Sequence, residues 1–118
     1  MKLSRYMTDY LVCVLWSSTD DDGNPLDDNY GVEDINTSDV MQHEKQLEDF
    51  IEANWDDISE ADLDLEQVAH DFWLTRNGHG TGFWDRGLGE VGERLSAAAK
   101  VYGSSDAYVG DDGKVYLT

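Results

Sequence analysis

The chain has one cysteine, one proline and only 8 lysine or arginine residues among 118. A single cysteine, Cys13, excludes an internal disulfide and any thiolate-rich zinc or iron–sulfur cage. No run approaches the ~18 consecutive apolar residues of a membrane span, and the first residues lack a charged-then-apolar stretch ending in a small-residue cleavage site. The expectation is a soluble, cytosolic protein without a membrane partner. The shortage of bases has its own consequence. With 26 acidic residues, a net charge of −18 and a pI near 4.1, the chain is repelled by a phosphate backbone, so nucleic acid is not its expected direct partner. Four Trp, six Tyr and three Phe within a 40% hydrophobic share are enough for a packed core, so charge alone does not imply disorder. The length predicts one domain over residues 1–118.

The charge is segregated. From Asp20 to Asp71 there are 19 acidic residues against the single base Lys45, a balance of −18, and the remainder of the chain is neutral. A solvated acidic face is the plain reading, and adaptation to high salt a special case of it, although salt adaptation should also acidify the balanced last third. A sharper reading follows from size. A compact chain of this length is roughly 35 Å across. Duplex DNA carries about 20 phosphate charges over that distance. The acidic region 20–71 could therefore occupy the basic cleft of a nucleic-acid-binding protein, its carboxylates standing in for phosphates. Asp20, Asp21, Asp22, Glu44, Glu48, Asp49, Glu52, Asp56 and Asp57 are the candidate partner-binding charges, with Tyr30 and Trp84 as candidate anchors.

Periodicity predicts a mainly α fold with a small C-terminal β-hairpin (α+β). Leu3, Tyr6, Met7, Tyr10, Leu11, Val14 and Leu15 recur at helical steps from near Ser4, with a strand as the alternative because of the β-branched Val12 and Val14. Residues 17–33, rich in Asp, Gly and Asn and holding Pro25, read as an exposed loop that Leu26, Tyr30 and Val32 could order by packing down. A long acidic-faced helix is predicted from Ser38, with Val40, Leu47, Phe50, Ile51 and Trp55 on its apolar side. A second spans Asp64 to Asn77, with Asp64 and Gln67 placed as a capping-box pair, Arg76 on the same side as Phe72 and Trp73, and Gly78 as terminator. A third covers Gly89 to Tyr102. Alternating runs at Asp106–Gly110 and Lys114–Leu117 around Asp111-Asp112-Gly113 predict the hairpin, spanning 106–118.

Between the last two helices lies a glycine–aromatic loop, residues 78–87, and six glycines fall between Gly78 and Gly92. Such density beside Phe83 and Trp84 suggests a tight, specified path. In a purely structural role Phe83 and Trp84 would pack on Phe72 and Trp73, Asp85 and Arg86 would form a local ion pair or cap, and His79 would bond to backbone. In a functional role the loop would bind a ligand or partner. The string from His70 through Asp71-Phe72-Trp73-Leu74-Thr75-Arg76-Asn77-Gly78-His79-Gly80-Thr81-Gly82-Phe83-Trp84-Asp85-Arg86 to Gly87 resembles the signature of small acidic, uncharacterised proteins of tailed bacteriophages. The similarity extends to Pro25–Tyr30 and to Val109–Lys114. The resemblance implies a phage origin and action in the cytoplasm of an infected bacterium, where small acidic proteins often inhibit host enzymes or defence systems. It carries no catalytic residue across.

Other chemistry is thinner. His70, His79 and Asp85 are the weak candidates for a metal site, but their spacing matches no familiar zinc signature, and a hydrogen-bonded core histidine is the commoner arrangement. An EF-hand register from Asp20 fails, because Pro25 would stand at the turn glycine and Gly31 at the bidentate glutamate. Gly87-Leu88-Gly89-Glu90-Val91-Gly92 spells a dinucleotide-binding pattern without the preceding buried strand. Cys13 lies in an apolar periodic segment and reads as core. Trp55, Trp73 and Trp84 read as core before recognition. The leading expectation is a non-enzymatic, cofactor-free acidic inhibitor, a possible DNA mimic that docks on a basic host or defence protein. The alternatives are a small metal- or ligand-binding, enzyme-like domain centred on the Gly78–Gly87 loop, and a self-associating accessory protein.

Overall fold

A computed structural model describes residues 4–79, 82–83 and 86–118. Helix α1, Arg5–Ser17, starts where the Met7 N–H donates to Ser4 Oγ at 3.4 Å. It buries Met7, Tyr10, Leu11, Cys13, Val14 and Leu15, so helical periodicity prevails over β-branching, while Val12 and Trp16 stay on the outer face. Helix α4, Leu65–Arg76, starts where the Gln67 N–H donates to Asp64 Oδ1 at 2.7 Å. The predicted capping box is only half formed, because the Gln67 side chain reaches forward to Asp71 instead. From Asp71 to Arg76 every residue of α4 is buried, the pattern of a central helix packed on all sides.

The two helices lie side by side and run parallel. Three contacts show the register: Arg5 Nε lies 3.2 Å from Glu66, the Cys13 thiol faces the His70 carbonyl at 3.8 Å, and the Trp73 indole N–H donates to Ser17 Oγ at 2.8 Å. The first part of the connection between them packs on α1. Residues 18–36 contain two short 3-10 turns, Leu26–Asp28 and Val32–Asp34, and are ordered by the fully buried Leu26, with Tyr30 and Val32 packed against the core.

Helix α2, Thr37–Ala53, begins slightly earlier than Ser38 because Asn36 Oδ1 takes the Asp39 N–H at 3.1 Å. Val40, His43, Leu47 and Phe50 form its buried side. It also ends earlier than its periodicity suggests. At Asn54 the side-chain amide turns back to the Phe50 carbonyl at 2.9 Å, and the chain restarts as a short helix α3, Trp55–Glu60, which buries Ile58. Trp55, predicted on the apolar side of one long helix, is thereby rotated outward and 51% exposed.

Helix α5, Glu90–Lys100, packs on α4 through Leu95 and Ala99, and Gly103 closes it at φ 77°. Strands β1, Ala107–Val109, and β2, Val115–Leu117, pair antiparallel with Tyr108 opposite Tyr116. The hairpin is sewn to the start of α2: the Asn36 N–H donates to the Val115 carbonyl at 2.8 Å, and the Leu117 N–H to Asp39 Oδ2 at 3.0 Å. The predicted mainly helical architecture with a C-terminal hairpin is thus the observed one.

Aromatic rings fill the centre. Phe50 lies 4.6 Å from Phe72 and 5.6 Å from Phe83, and Phe72 meets Tyr102 edge-on at 5.2 Å. Phe83 is therefore core, stacked on Phe50 rather than on the predicted Phe72 and Trp73. Gly82 lets it reach that position, since a Cβ there would collide with Thr75 Oγ1, the atom that accepts the Phe83 N–H at 3.2 Å. Trp84 and Asp85 lie outside the described residues. Phe72→Ala removes the ring on which Tyr10, Phe50 and Tyr102 converge, and should lower stability by about 3–5 kcal/mol in urea denaturation. A loss under ~1 kcal/mol would mean that the aromatic cluster is not the core.

Candidate functional site

Two charged residues of the 70–87 segment are buried on α4, and each is satisfied differently. Asp71, 1% exposed, takes a two-pronged contact from Arg86 at 2.8 and 3.1 Å, and its Oδ1 also accepts the Gln67 amide at 3.0 Å. Arg86 thus reaches back to α4, 15 residues earlier in the chain, while the expected pairing with Asp85 lies outside the described residues. Arg76, 6% exposed, meets no carboxylate in its hydrogen bonds among the described residues. Its Nε and Nη2 donate to the Gly103 and Tyr102 carbonyls at 2.8 and 3.1 Å, and its Nη1 donates to Gln46 Oε1 at 2.8 Å and to the Tyr10 hydroxyl at 3.3 Å.

The Tyr10 contact extends inward as a one-way chain of donors. Tyr10 Oη lies 2.7 Å from His43 Nδ1, and His43 Nε2 lies 3.2 Å from the Thr118 carbonyl. A carbonyl can only accept, so Nε2 carries the imidazole proton, Nδ1 accepts from Tyr10, and the phenol oxygen is left to accept from Arg76. Burial holds the His43 pKa below its ordinary value, and burial also raises that of Tyr10 against the opposing pull of Arg76. Both rings therefore stay neutral at pH 7. Burial, with a smaller contribution from Asp71, pushes the Cys13 thiol up to about 12, which removes it as a nucleophile at neutral pH. Tyr10 and His43 did not stand out in the sequence as members of a polar network. The available signals were Arg76 on an apolar helix side and His43 in phase with Val40 and Leu47.

Of the candidate metal ligands, His70 and His79 lie in different clefts, and Asp85 lies outside the described residues. His70 projects from the middle of α4 against the Trp16 ring at 5.7 Å, in a cleft shared with Val12 and Arg86. His79 lies beyond the end of α4 and lines a different cleft with Ser17, Asn77 and Asp106. The reason is helical rise: six residues separate His70 from the end of α4, about 9 Å along its axis. No group of three or more His, Cys, Asp or Glu among the described residues is arranged to hold a metal. The main-chain N–H of His79 does bond to backbone, at the Leu74 carbonyl, 3.0 Å away.

The candidate acidic residues fall into two sets. Asp20 is committed to its own turn, its Oδ1 accepting the Asp22 and Asn24 N–H groups at 2.9 Å each. Around it Asp21, Asp22 and Tyr30 line a hollow of about 230 Å³ with Tyr108. The second set follows α2 and α3. Glu48, Asp49, Glu52 and Asp56 are exposed and Glu44 is half-buried. Asp57 differs, because Arg94 grips it at 2.8 to 3.2 Å and lowers its pKa, so its charge is locally neutralised. No helix among the described residues is long and apolar enough to cross a membrane. No family model, curated protein or solved structure matches the chain.

Two outcomes follow from the buried groups. As pH falls through the ordinary imidazole value of 6.5, the unfolded chain takes up a proton that folded His43 refuses, so stability should decline. His43→Gln should make that decline shallower in urea titrations between pH 7 and 5; an unchanged slope would assign it to other groups. The Cys13 thiol of the native protein should resist a disulfide reagent at pH 8 and react fully once unfolded.

Proposed function

We propose that the protein is a non-enzymatic, phage-encoded inhibitor whose acidic surface occupies the basic, nucleic-acid-binding face of a host or defence protein. The observation that carries this reading is the stripe Glu44, Glu48 and Glu52 on α2. Residues four apart share a helix face and rise by about 6 Å per step, so these carboxylates form a row. Like charges at this spacing weaken a helix by about 0.2–0.5 kcal/mol per pair. No ion pair among the described residues relieves them, since Arg5, Arg86 and Arg94 pair with Glu66, Asp71 and Asp57. A row that opposes its own helix and stays unpaired suits an external cation better than internal stability.

Dimensions support the same reading. The molecule measures 43 Å along its longest axis, a length over which duplex DNA carries about 25 phosphates, against a net charge of −18 here. Opposite charge on the partner would speed encounter and make binding sensitive to salt. Asp21, Asp22 and Tyr30 supply a second acidic contact near the hairpin. The phage origin and the infected cytoplasm rest on the resemblance of the 70–87 segment, and the basic partner rests on the charge.

Capture from bacterial lysate at low and high salt, with mass spectrometry, should retain a nucleic-acid-binding protein that high salt releases. That protein, once purified, should lose DNA binding when this chain is added. A variant carrying Glu44→Gln, Glu48→Gln, Asp49→Asn and Glu52→Gln should melt no lower than the parent, and slightly higher as the like-charge repulsion is relieved, and bind the same target at least ten-fold more weakly. Undiminished binding by this variant would overturn the proposal.

A further inference from the structure

The two edges of the C-terminal hairpin differ. On the far side of β2 the Val115 carbonyl accepts the Asn36 N–H at 2.8 Å, and the Leu117 N–H donates to Asp39 Oδ2 at 3.0 Å. These contacts anchor the sheet to α2 and leave β1 as its outer strand. Within the antiparallel ladder the Gly110 N–H donates to the Lys114 carbonyl and the Thr118 N–H to the Asp106 carbonyl. Hydrogen-bonded pairs alternate along such a ladder, so Tyr108 and Tyr116 form the one in between. Ala107 and Val109 stand at the other positions, where the N–H and C=O groups point away from β2. No hydrogen bond from the described residues reaches these groups.

Two hollows border this strand. One, of about 540 Å³, touches Asp106 and Ala107, and the other, of about 230 Å³, touches Tyr108 and Val109; both reach Thr19. Val109 packs toward the core, whereas Tyr108 is exposed on the opposite face. A hollow touched by both therefore lies along the edge of the strand rather than on one face of it. The strand is also held ready. Tyr108 stacks on Tyr116 at 5.7 Å, and β2 is fixed from behind, so an added strand meets a backbone already extended and pays little to order it.

An open strand edge is a template for pairing with another chain, and charge decides which chain. Asp20, Asp21 and Asp22 line the smaller hollow and Asp106 the larger, with no Lys or Arg among the described residues that line either. A second copy of this chain, at a net charge of −18, would bring its own aspartates to the same place. A cationic strand meets attraction instead. We infer that β1 is a strand-addition site for an extended, basic segment of a partner, whose backbone pairs with Ala107 and Val109 while its Lys or Arg side chains reach Asp21, Asp22 and Asp106. Alternate side chains of a strand lie about 7 Å apart, so roughly five residues span the edge and both hollows. The inference rests on the reading of the hairpin side as a contact for a basic partner, and it needs nothing from the α2 row.

The test is a titration of the whole ¹⁵N-labelled protein, followed by NMR and hydrogen exchange, with the peptide acetyl-Lys-Val-Lys-Val-Lys-amide. One control is the same peptide N-methylated at its three central residues, which keeps the charge and removes the central N–H donors. The other control carries glutamate in place of each lysine. In the free protein the Tyr108 amide should exchange slowly and the Ala107 and Val109 amides fast. With the lysine peptide the Ala107 and Val109 amides should shift saturably, with a dissociation constant on the order of 1 mM for so short a strand, and at saturation should exchange at least five-fold more slowly. Both controls should bind at least five-fold more weakly.

Ala107→Pro removes one outward N–H at an edge position of the kind that tolerates proline, and should weaken binding at least five-fold with the fold retained. If this variant loses the hairpin, the N-methylated peptide decides alone, because it leaves the protein untouched. Combined Asp21→Asn, Asp22→Asn and Asp106→Asn should weaken binding at least five-fold through charge. The four-fold α2 variant should bind the peptide as the parent does, so failure of the α2 docking face and failure of this edge are read separately. Equal binding of the N-methylated peptide, or shifts centred on the α2 row, would overturn the inference. So would protection of the Ala107 and Val109 amides in the protein alone, with a dimer in sedimentation, since β1 would then pair with a second copy.

Discussion

Arg76 enters the core with its charge intact, since a guanidinium does not deprotonate in a protein, and the surrounding structure is arranged to receive it. Its four hydrogen bonds reach α1 through Tyr10, α2 through Gln46, and the turn after α5 through Tyr102 and Gly103. Through Tyr10 and His43 the same network continues to Thr118 at the end of the hairpin. Removing any partner would leave a buried donor unsatisfied, at about 1–3 kcal/mol, more for a charged one. One side chain thus sets where three helices and the final strand meet. The guanidinium also lies over the Phe72 ring, 5.3 Å from its centre, so the polar network and the aromatic cluster share a boundary.

The fold was legible where a local signal and the tertiary environment agree. The helix start read near Ser4 and the capping role read at Asp64 both match side-chain caps in the structure, and the hairpin follows its Asp-Asp-Gly turn. Trp55 was misplaced because hydrophobic spacing carries through Asn54, whereas the chain does not. An asparagine side chain that competes for the Phe50 carbonyl ends the helix without altering the pattern. The partnership of Asp71 with Arg86 and the chain from Arg76 to Thr118 depend on contacts between residues far apart in sequence, which periodicity does not encode. For the acidic residues, sequence gave their concentration, while their division into a turn-bound set at Asp20 and an open row on α2 needed three dimensions.

The cations among the described residues are divided by type. Arg5, Arg86 and Arg94 hold carboxylates and Arg76 holds carbonyls, while Lys45, Lys100 and Lys114 sit on the exposed surface. The arginines are spent on tying segments together, the role their planar fork suits. The negative surface is consequently left to solvent and salt, and its self-repulsion is a standing strain that counter-ions or a basic partner would relieve.

The parallel pairing of α1 with α4 also bears on how the chain reaches its fold during synthesis. Cys13 meets a residue 57 positions later, and no shorter route brings α1 to its main packing partner. At a synthesis rate of about 5–20 residues per second, α1 leaves the ribosome roughly 3–11 s before the contacting part of α4. In that interval Tyr10, Leu11 and Val14 have no core to enter. The segment made meanwhile is the acidic one, so the waiting helix trails a strongly negative tether that discourages association between nascent chains.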